Sequence, residues 1–358
     1  MKRILSIDGG GIRGIIPGML LVSLEDKLKR ATQNPEAHLS QYFDFFAGTS
    51  TGGILLSILL CPDPDNLAKP RFSAQEALDI YLTHGTEIFT TSRWRRFLNQ
   101  FGLLTELYDN KVLEKILFNY FGDTRLSQLI KPSIFTAYNI ELRKNHLFRQ
   151  QKAISHGASR DFYLRDVCRA TSAAPTYFSV AEIYSLADTR FPLVDGGMFA
   201  HNPSISALLE VLKTYKTFKI DDVHILSLGT GIAKNAYKYE DFKKQKAISI
   251  GPALVDIMTS SSSESNDYFL QQLFQSIQRS SNYIRLEPSN LSSIEPSLDA
   301  ASAGNIQKIV SLADKLISDN ETLLDALVND LIIEKEQKEN LSEKKDHSVW
   351  NYLGFKSK

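Results

Sequence analysis

A serine lies at the centre of a glycine-rich turn between two apolar segments. The turn reads G-T-S-T-G from Gly48 to Gly52, with Ser50 in the middle. A G-x-S-x-G turn between a strand and a helix projects the serine hydroxyl beyond the end of the sheet, and its glycines permit close approach of the neighbouring backbone. The first amides of the following helix favour negative charge beside that hydroxyl. The spacing predicts a nucleophilic serine; a glycine-rich helix start with a capping serine is the alternative.

An aspartate later in the chain is suited to be the partner of this serine. The segment F-P-L-V-D-G-G ends a short apolar stretch at Asp195 and continues with Gly196 and Gly197. A carboxylate at the end of a β-segment, followed by two glycines, can be directed into a site and can accept a proton there. An Asp-Gly hairpin turn, which is common in proteins, is the alternative.

A run of glycines near the N-terminus offers a site for a developing negative charge. The run D-G-G-G-I-R-G follows a short apolar strand and precedes an apolar helix, so its bare amides lie at a helix N-terminus. The amides of Gly10 and Gly11 would face the oxygen that becomes negative when Ser50 attacks an ester. Arg13 would support that charge, hold the loop or lie on the surface. The candidate residues of this run are Gly9, Gly10, Gly11, Arg13 and Gly14.

The same run also matches the dinucleotide-binding pattern G-x-G-x-x-G. That pattern requires a second strand with an acidic residue at its end about 20 residues further on. The corresponding zone, Glu25–Arg30, has the composition of a charged helix end, and the next apolar strand begins only at Phe43. An oxyanion hole is therefore the favoured interpretation, and no cofactor is expected.

Alternating strand, glycine turn and helix would hold these residues in place. Arg3–Ile7, Phe43–Ala47 and Val223–Leu228 have the apolar composition of buried strands, and Ile15–Leu28 that of an apolar helix. Ser133–Tyr138 alternates as a strand does, and a weaker alternation after it predicts a hairpin or an edge strand. The pattern predicts an α/β protein.

The composition excludes several function classes. The 358 residues contain 41 Lys plus Arg and 41 Asp plus Glu, so the formal net charge of zero gives no global reason to expect nucleic-acid binding. The two cysteines form neither a disulfide framework nor a metal-binding pattern, and no cluster of ligands indicates a metal. No signal peptide and no membrane-spanning segment is visible. The sequence predicts a cytoplasmic protein, with secretion by a signal-less route left open.

Two stretches combine basic and aromatic residues. Ser92–Leu107 places arginines among Trp and Phe, and Val349–Lys358 places aromatic residues beside lysines. Amphipathic segments of this kind can lie on anionic membrane surfaces, although packing on the domain or docking to a partner is the more common role. Between them, Leu323–Ile332 carries a leucine stripe expected to pack, followed by the dense charge run Glu334–Asp346.

Four stretches in one order carry a family resemblance: Asp8–Gly14, Gly48–Gly52, A-A-P-T-Y-F at Ala173–Phe178, and Asp195–Gly197. With them, the chain resembles the patatin-like phospholipases, especially the plant patatin branch and its bacterial relatives. S-L-G-T-G at Ser227–Gly231 is also similar to that branch. The resemblance covers roughly residues 3 to 285 and leaves the charged C-terminal helix unmatched.

The resemblance implies a three-layer α/β/α fold with a mainly parallel central sheet and a Ser-Asp catalytic dyad. Ser50 would be the nucleophile, Asp195 its partner, and Gly9, Gly10 and Gly11 would line the oxyanion hole. It also implies a phospholipase domain at residues 3–290, with its motifs within about 3–212, and a helical, charged C-terminal extension at 291–358. The implied activity is hydrolysis of fatty acyl esters of phospholipids or galactolipids.

Several alternatives remain open from the sequence. A histidine usually activates a catalytic serine, and His201 stands six residues after Asp195, so a triad is the rival of the dyad. A thioesterase or another non-lipid acyl hydrolase, and a catalytically idle lipid- or protein-binding module, are the rival functions. The expected partner is a membrane phospholipid or other lipid contacted at the membrane surface, and an activator or self-association is left open.

Overall fold

The computed structural model describes residues 1–90, 107–232, 238–243 and 251–352, without the side chains of 241, 251, 252 and 341–352. The basic-aromatic stretch Ser92–Leu107, for which membrane contact is the less common alternative, lies outside the described residues except for Leu107, as does the end of the aromatic tail. Within the described part of the chain, no helix combines the length and apolar character needed to cross a membrane.

An eight-stranded mixed sheet forms the centre of the molecule. Its order is β10-β9-β1-β2-β5-β8-β7, with β6 also paired to β5, and the pairs from β10 to β5 are parallel. Strands β6, β7 and β8 run antiparallel to their neighbours. A separate hairpin, β3–β4, occupies a segment whose polar, proline-containing composition is typical of a loop. The strands are β1 (Lys2–Ile7), β2 (Phe45–Gly48), β3 (Pro62–Asp63), β4 (Asn66–Pro70), β5 (Ser133–Asn139), β6 (Lys144–Arg149), β7 (Ala181–Tyr184), β8 (Arg190–Asp195), β9 (Val223–Leu228) and β10 (Tyr283–Leu286).

Helices cover both faces of the sheet, which confirms the α/β/α expectation. Along β1, Leu5 and Ile7 join the larger apolar core with α1, α2, α3 and the C-terminal helices, whereas Ile4 joins a smaller core with α8 and α10. The helices are α1 (Ile15–Thr32), α2 (Thr51–Leu60), α3 (Ala74–Ile88), α4 (Asn110–Phe121), α5 (Gln150–His156), α6 (Leu164–Thr171), α7 (Gly197–Ala200), α8 (Ser204–Thr214), α9 (Tyr239–Lys243), α10 (Gly251–Ser276), α11 (Ala303–Asp319) and α12 (Glu321–Tyr352).

Helix α12 packs on the same core as the motif-bearing segments. Leu324, Leu327 and Leu331 of the predicted stripe are buried and form a packing face, whereas Leu323 at its start is exposed. Charged contacts flank the stripe, since the Lys27 ammonium lies 2.8 Å from a carboxylate oxygen of Glu321. The domain boundary near residue 290 stays a prediction, but the residues after it are part of this core.

Two strands meet end to end on β5, and this meeting positions the candidate site. Strand β6 pairs with β5 over Ile134–Asn139, so β2 and β8 share the opposite edge of β5. Parallel β2 ends with Gly48 opposite Phe135, and antiparallel β8 ends with Asp195 opposite Ala137. The carboxyl ends of both strands therefore converge on one point of β5.

Candidate active site

Ser50 occupies a strained turn between β2 and α2. Its φ of 52° and ψ of −121° are unusual for a residue with a side chain. The turn is possible because Gly52 passes close to β1: a Cβ on Gly52 would lie 2.3 Å from the carbonyl oxygen of Ile7. The Ser50 amide donates to Thr171 Oγ1 at 2.9 Å, which anchors the turn to α6. The local pattern that predicted a projecting serine is present in the structure.

Asp195 ends β8 beside this serine and is buried. The amide of Gly197 donates to Asp195 Oδ1 at 2.7 Å. Burial raises the pKa of the Asp195 carboxyl to about 7, while hydrogen bonds from the Gly197 amide and the Ser50 hydroxyl oppose that rise. The structure therefore brings the two predicted dyad residues into contact, with the carboxyl group poised to gain or lose a proton near neutral pH.

Thr136 on β5 contacts both the turn that carries Ser50 and the turn that follows Asp195. Thr49 Oγ1 lies 2.7 Å from Thr136 Oγ1 and donates to the carbonyl oxygen of Ala200 at 2.6 Å. A Cβ on Gly196 would lie 2.0 Å from Thr136 Oγ1, so only glycine fits there. This threonine was not predicted as a site residue, because its role depends on the long-range pairing of β5 with both β2 and β8.

Two glycines of the run border the site, and Gly9 is not among the described lining residues of the pocket. Gly10 and Gly11 line the pocket with Ser50 and Asp195. The amide of Gly9, however, donates to the carbonyl oxygen of His201 at 3.0 Å. The assignment of the Gly10 and Gly11 amides to the oxyanion stays a prediction, and the N–H group of Gly9, a residue expected to line the oxyanion hole, already has a backbone acceptor.

Arg13 holds the loop and does not line the pocket. Its side chain is buried, and Nη1 donates to the carbonyl oxygen of Gly231 at 2.9 Å. Thr230 adds a second link, because its Oγ1 donates to the carbonyl oxygen of Gly9 at 2.6 Å. Of the three roles considered for Arg13, loop support fits these contacts.

A buried ion pair supports the start of the glycine run. Arg285 Nη2 lies 2.7 Å from Asp8 Oδ2, and Ser263 Oγ donates to the same oxygen at 3.2 Å. Burial raises the pKa of Asp8 to about 6, and the Arg285 guanidinium limits this rise. The signal for Arg285 in the sequence is an arginine within a short apolar strand, a position where an arginine requires a buried partner.

His201 lies in the same pocket as a neutral ring. A Cβ on Gly9 would be 3.1 Å from His201 Nδ1, so the ring lies against the glycine run. Burial, together with the charges of Arg13 and Arg285, lowers the pKa of His201 to about 3. A ring with this pKa is a weak base, which bears directly on the triad alternative.

The pocket above Ser50 is mainly apolar. Among its described lining residues, Asp195 is the one carboxylate and there is neither Lys nor Arg. Within the described residues, no group of three or more His, Cys, Asp or Glu side chains could hold a metal ion. The apolar residues that line the pocket include Ile54, Ile88, Phe89, Leu113, Ala174, Pro175, Phe178, Met198, Val255 and Leu298.

Comparison with known proteins places these motifs in a family context. The sequence model of the family described as "Patatin-like phospholipase" matches residues 5–208. A Solanum tuberosum protein named "Probable inactive patatin-3-Kuras 1" is 32% identical over 334 residues, covering 88% of this chain and 86% of that protein. "Patatin group J-1" of the same species is 30% identical over 336 residues, covering 88% of this chain and 84% of that protein. Among solved structures, VipD from Legionella pneumophila aligns with a TM-score of 0.32 at 14% identity, covering 99% of this chain and 79% of that one.

Proposed function

The chain belongs to the patatin-like phospholipase family, and we propose that it is a phospholipase A-type lipid acyl hydrolase that works through a Ser50–Asp195 dyad. Family membership supports the general activity, hydrolysis of lipid acyl esters. The catalytic dyad and the substrate class are what we propose beyond this general activity. The proposed substrates are phospholipids or galactolipids with fatty acyl chains.

The contact between Ser50 and a buried, basic carboxyl group carries this proposal. The pKa of Asp195 is about 7, whereas that of His201 is about 3. Asp195 is thus the stronger base of the two, and its carboxyl group is the one that accepts a hydrogen bond from the Ser50 hydroxyl. A dyad needs no further base, so these values favour it over a triad through His201.

The proposed reaction has two steps. Asp195 takes the Ser50 proton as Oγ attacks the ester carbonyl, and the oxyanion lies against the amides of Gly10 and Gly11. Asp195 then gives this proton to the alcohol oxygen as the ester C–O bond breaks, and an acyl-serine remains. Water, deprotonated by Asp195, then attacks the acyl carbon, the bond from Ser50 Oγ to the acyl group breaks, and the proton returns from Asp195 to Ser50 Oγ as the fatty acid leaves. Because the base must be ionised, we expect kcat/KM to fall about tenfold per pH unit below pH 7 and to level off above it, as measured by initial rates.

The walls of the pocket favour a lipid over a small polar acyl group. Ile88, Phe89 and Phe178 line the space next to Ser50, and transfer of a fatty acyl chain from water to such a surface is favourable. Contact with the membrane surface during catalysis follows from this substrate class and is part of the proposal. A cytoplasmic location, an activator and self-association stay predictions.

Fatty-acid release from mixed phospholipid vesicles tests the proposal. The wild-type protein should release fatty acid, Ser50→Ala should not, and Ser292→Ala, which alters an exposed serine, should match the wild type. A fluorophosphonate should label the wild type and spare Ser50→Ala. Release of acyl groups only from thioesters would replace the lipid substrate with a thioester. Absence of both release and labelling would favour an idle binding module.

A further inference from the structure

A second cavity lies at the edge of the sheet, beside strand β6 and helix α5. Its volume is about 240 Å³, and none of its lining residues lines the catalytic pocket. It lies along the edge of β5 that β2 and β8 do not occupy. The lining residues used below are His146, Phe148, Arg149, Lys152, Arg160 and Phe162.

This cavity carries a local excess of positive charge. The basic side chains of Arg149, Lys152 and Arg160 line it, and no Asp or Glu is among the described lining residues. The Nε of Arg149 lies 2.9 Å from Glu210 Oε2. Lys152 and Arg160 have no salt bridge to any described residue. Because the whole chain has a net charge of zero, the excess of positive charge is local to this cavity and is not a property of the whole surface.

A histidine that lines the cavity has a buried ring nitrogen without a partner among the described residues. The ring of His146 packs on Phe148 and Phe162, with centroid distances of 4.5 and 6.2 Å. Its Nε2 is buried and makes no hydrogen bond to any described residue. Burial and the charges of Arg160 and Arg149 lower the pKa of His146 to about 4, so the ring is neutral near pH 7. A buried polar atom without a partner is costly, and an acceptor in the cavity removes that cost once its binding opens access to Nε2, which is covered in the ligand-free structure.

We propose that this cavity binds a phosphate-bearing anion. Arg160 and Lys152 neutralise its charge, and the Nε2–H group of His146 donates to one of its oxygens. A phosphate group suits the cavity better than a carboxylate, because it presents more acceptor oxygens and up to two negative charges to several cations and one neutral donor. The inference uses no catalytic residue and does not depend on the proposed function.

Titration calorimetry with inorganic pyrophosphate at low ionic strength tests the site. Arg160→Ala and Lys152→Ala should each weaken binding about tenfold, since each removes one charge-assisted contact. Lys213→Ala is the matched control, because it removes an exposed lysine of α8 that does not line the cavity. An equal loss in Lys213→Ala would overturn the proposal, because it would mean that binding follows overall charge.

His146→Phe separates ligand binding from a packing role. Phenylalanine keeps an aromatic ring among Phe148 and Phe162 but removes the unpaired nitrogen. We expect the melting temperature of the ligand-free protein to rise while pyrophosphate binding weakens several-fold. A fall in melting temperature with unchanged binding would exclude His146 from the site and assign it to packing alone.

The phosphate can belong to a soluble molecule or to a lipid headgroup, and a vesicle experiment distinguishes these sources. Ser50→Ala protein, which should leave the vesicles intact, is sedimented with phosphatidylcholine vesicles with and without phosphatidic acid. Binding that requires phosphatidic acid and Arg160, and that pyrophosphate competes away, indicates a headgroup. Pyrophosphate binding without vesicle binding indicates a soluble ligand. If neither probe binds in a way that depends on Arg160, the proposal is wrong.

Discussion

Asp8 and Asp195 each end or follow a buried strand, precede consecutive glycines and are almost fully buried. Their surroundings differ. Asp8 is held by the Arg285 guanidinium at 2.7 Å and by the Ser263 hydroxyl. Asp195 has the Gly197 amide and the Ser50 hydroxyl as its partners, and no cation of the described part of the chain lies beside it.

The difference shows how one local pattern serves two purposes. A guanidinium beside Asp8 favours the ionised carboxylate and fixes the start of the glycine run. Asp195 has no described cation beside it, and its hydrogen bonds from Gly197 and Ser50 offset only part of the desolvation cost of ionisation, so it is the stronger base of the two aspartates. The partners that the fold brings to each aspartate, and not the neighbouring sequence, determine whether its carboxylate has a structural or a reactive role.

The largest expected effect is the loss of activity in Asp195→Asn. The variant keeps the shape of the side chain and its hydrogen bond to Gly197 but cannot accept a proton. Because nucleophile and base act as a unit, we expect a loss of about 10³-fold or more in kcat, comparable to that in Ser50→Ala. Initial rates on vesicles measure this. Near-normal turnover in Asp195→Asn together with an inactive His201→Ala would replace the dyad with a triad.

The next effect concerns Asp8. Arg285→Met should destabilise the protein by about 3–5 kcal/mol, because it leaves a buried carboxylate without its cation. Urea unfolding measures the change. The double variant Asp8→Asn/Arg285→Met should recover part of the loss, since the orphaned charge is then absent. Equal stability of wild type and Arg285→Met would mean that the ion pair does not support the glycine run.

The same comparison predicts that a substitution of Asp195 stabilises the protein, whereas a substitution of the cation beside Asp8 destabilises it. Its folded-state pKa of about 7 lies above the ordinary value of 3.8, so the folded state binds more protons and loses stability as pH rises between these values. Asp195→Asn removes this penalty and should be more stable than wild type at pH 8 by up to about 4 kcal/mol. The two proteins should unfold alike near pH 4. Thermal unfolding at both pH values checks this, and a variant that is less stable at pH 8 would contradict it.

Short-range features of the site were predictable, whereas its long-range contacts were not. The turn around Ser50 and the glycine run follow from local spacing, because a strand, a tight turn and a helix need only neighbouring residues. The engagement of the Gly9 amide by His201 and the pairing of Arg285 with Asp8 join residues that only the folded sheet brings together. The meeting of β2 with an antiparallel β8 on β5 is of the same kind, since strand order is not encoded in local periodicity.

The smallest effect tests how much the second side-chain partner of Asp8 matters. Ser263 on α10 donates to Asp8 Oδ2 at 3.2 Å, and its Oγ lies 3.1 Å from Arg285 Nη2. Ser263→Ala should cost about 1 kcal/mol of stability, because the ion pair remains and one neutral hydrogen bond is lost. Activity should fall by no more than a few-fold, with kcat affected more than KM, since the glycine run stabilises charge that develops in the transition state. Urea unfolding and steady-state rates measure both quantities, with Ser261→Ala on the exposed face of α10 as the control. A loss as large as that in Arg285→Met would show that the hydroxyl, and not the guanidinium, holds Asp8 in place.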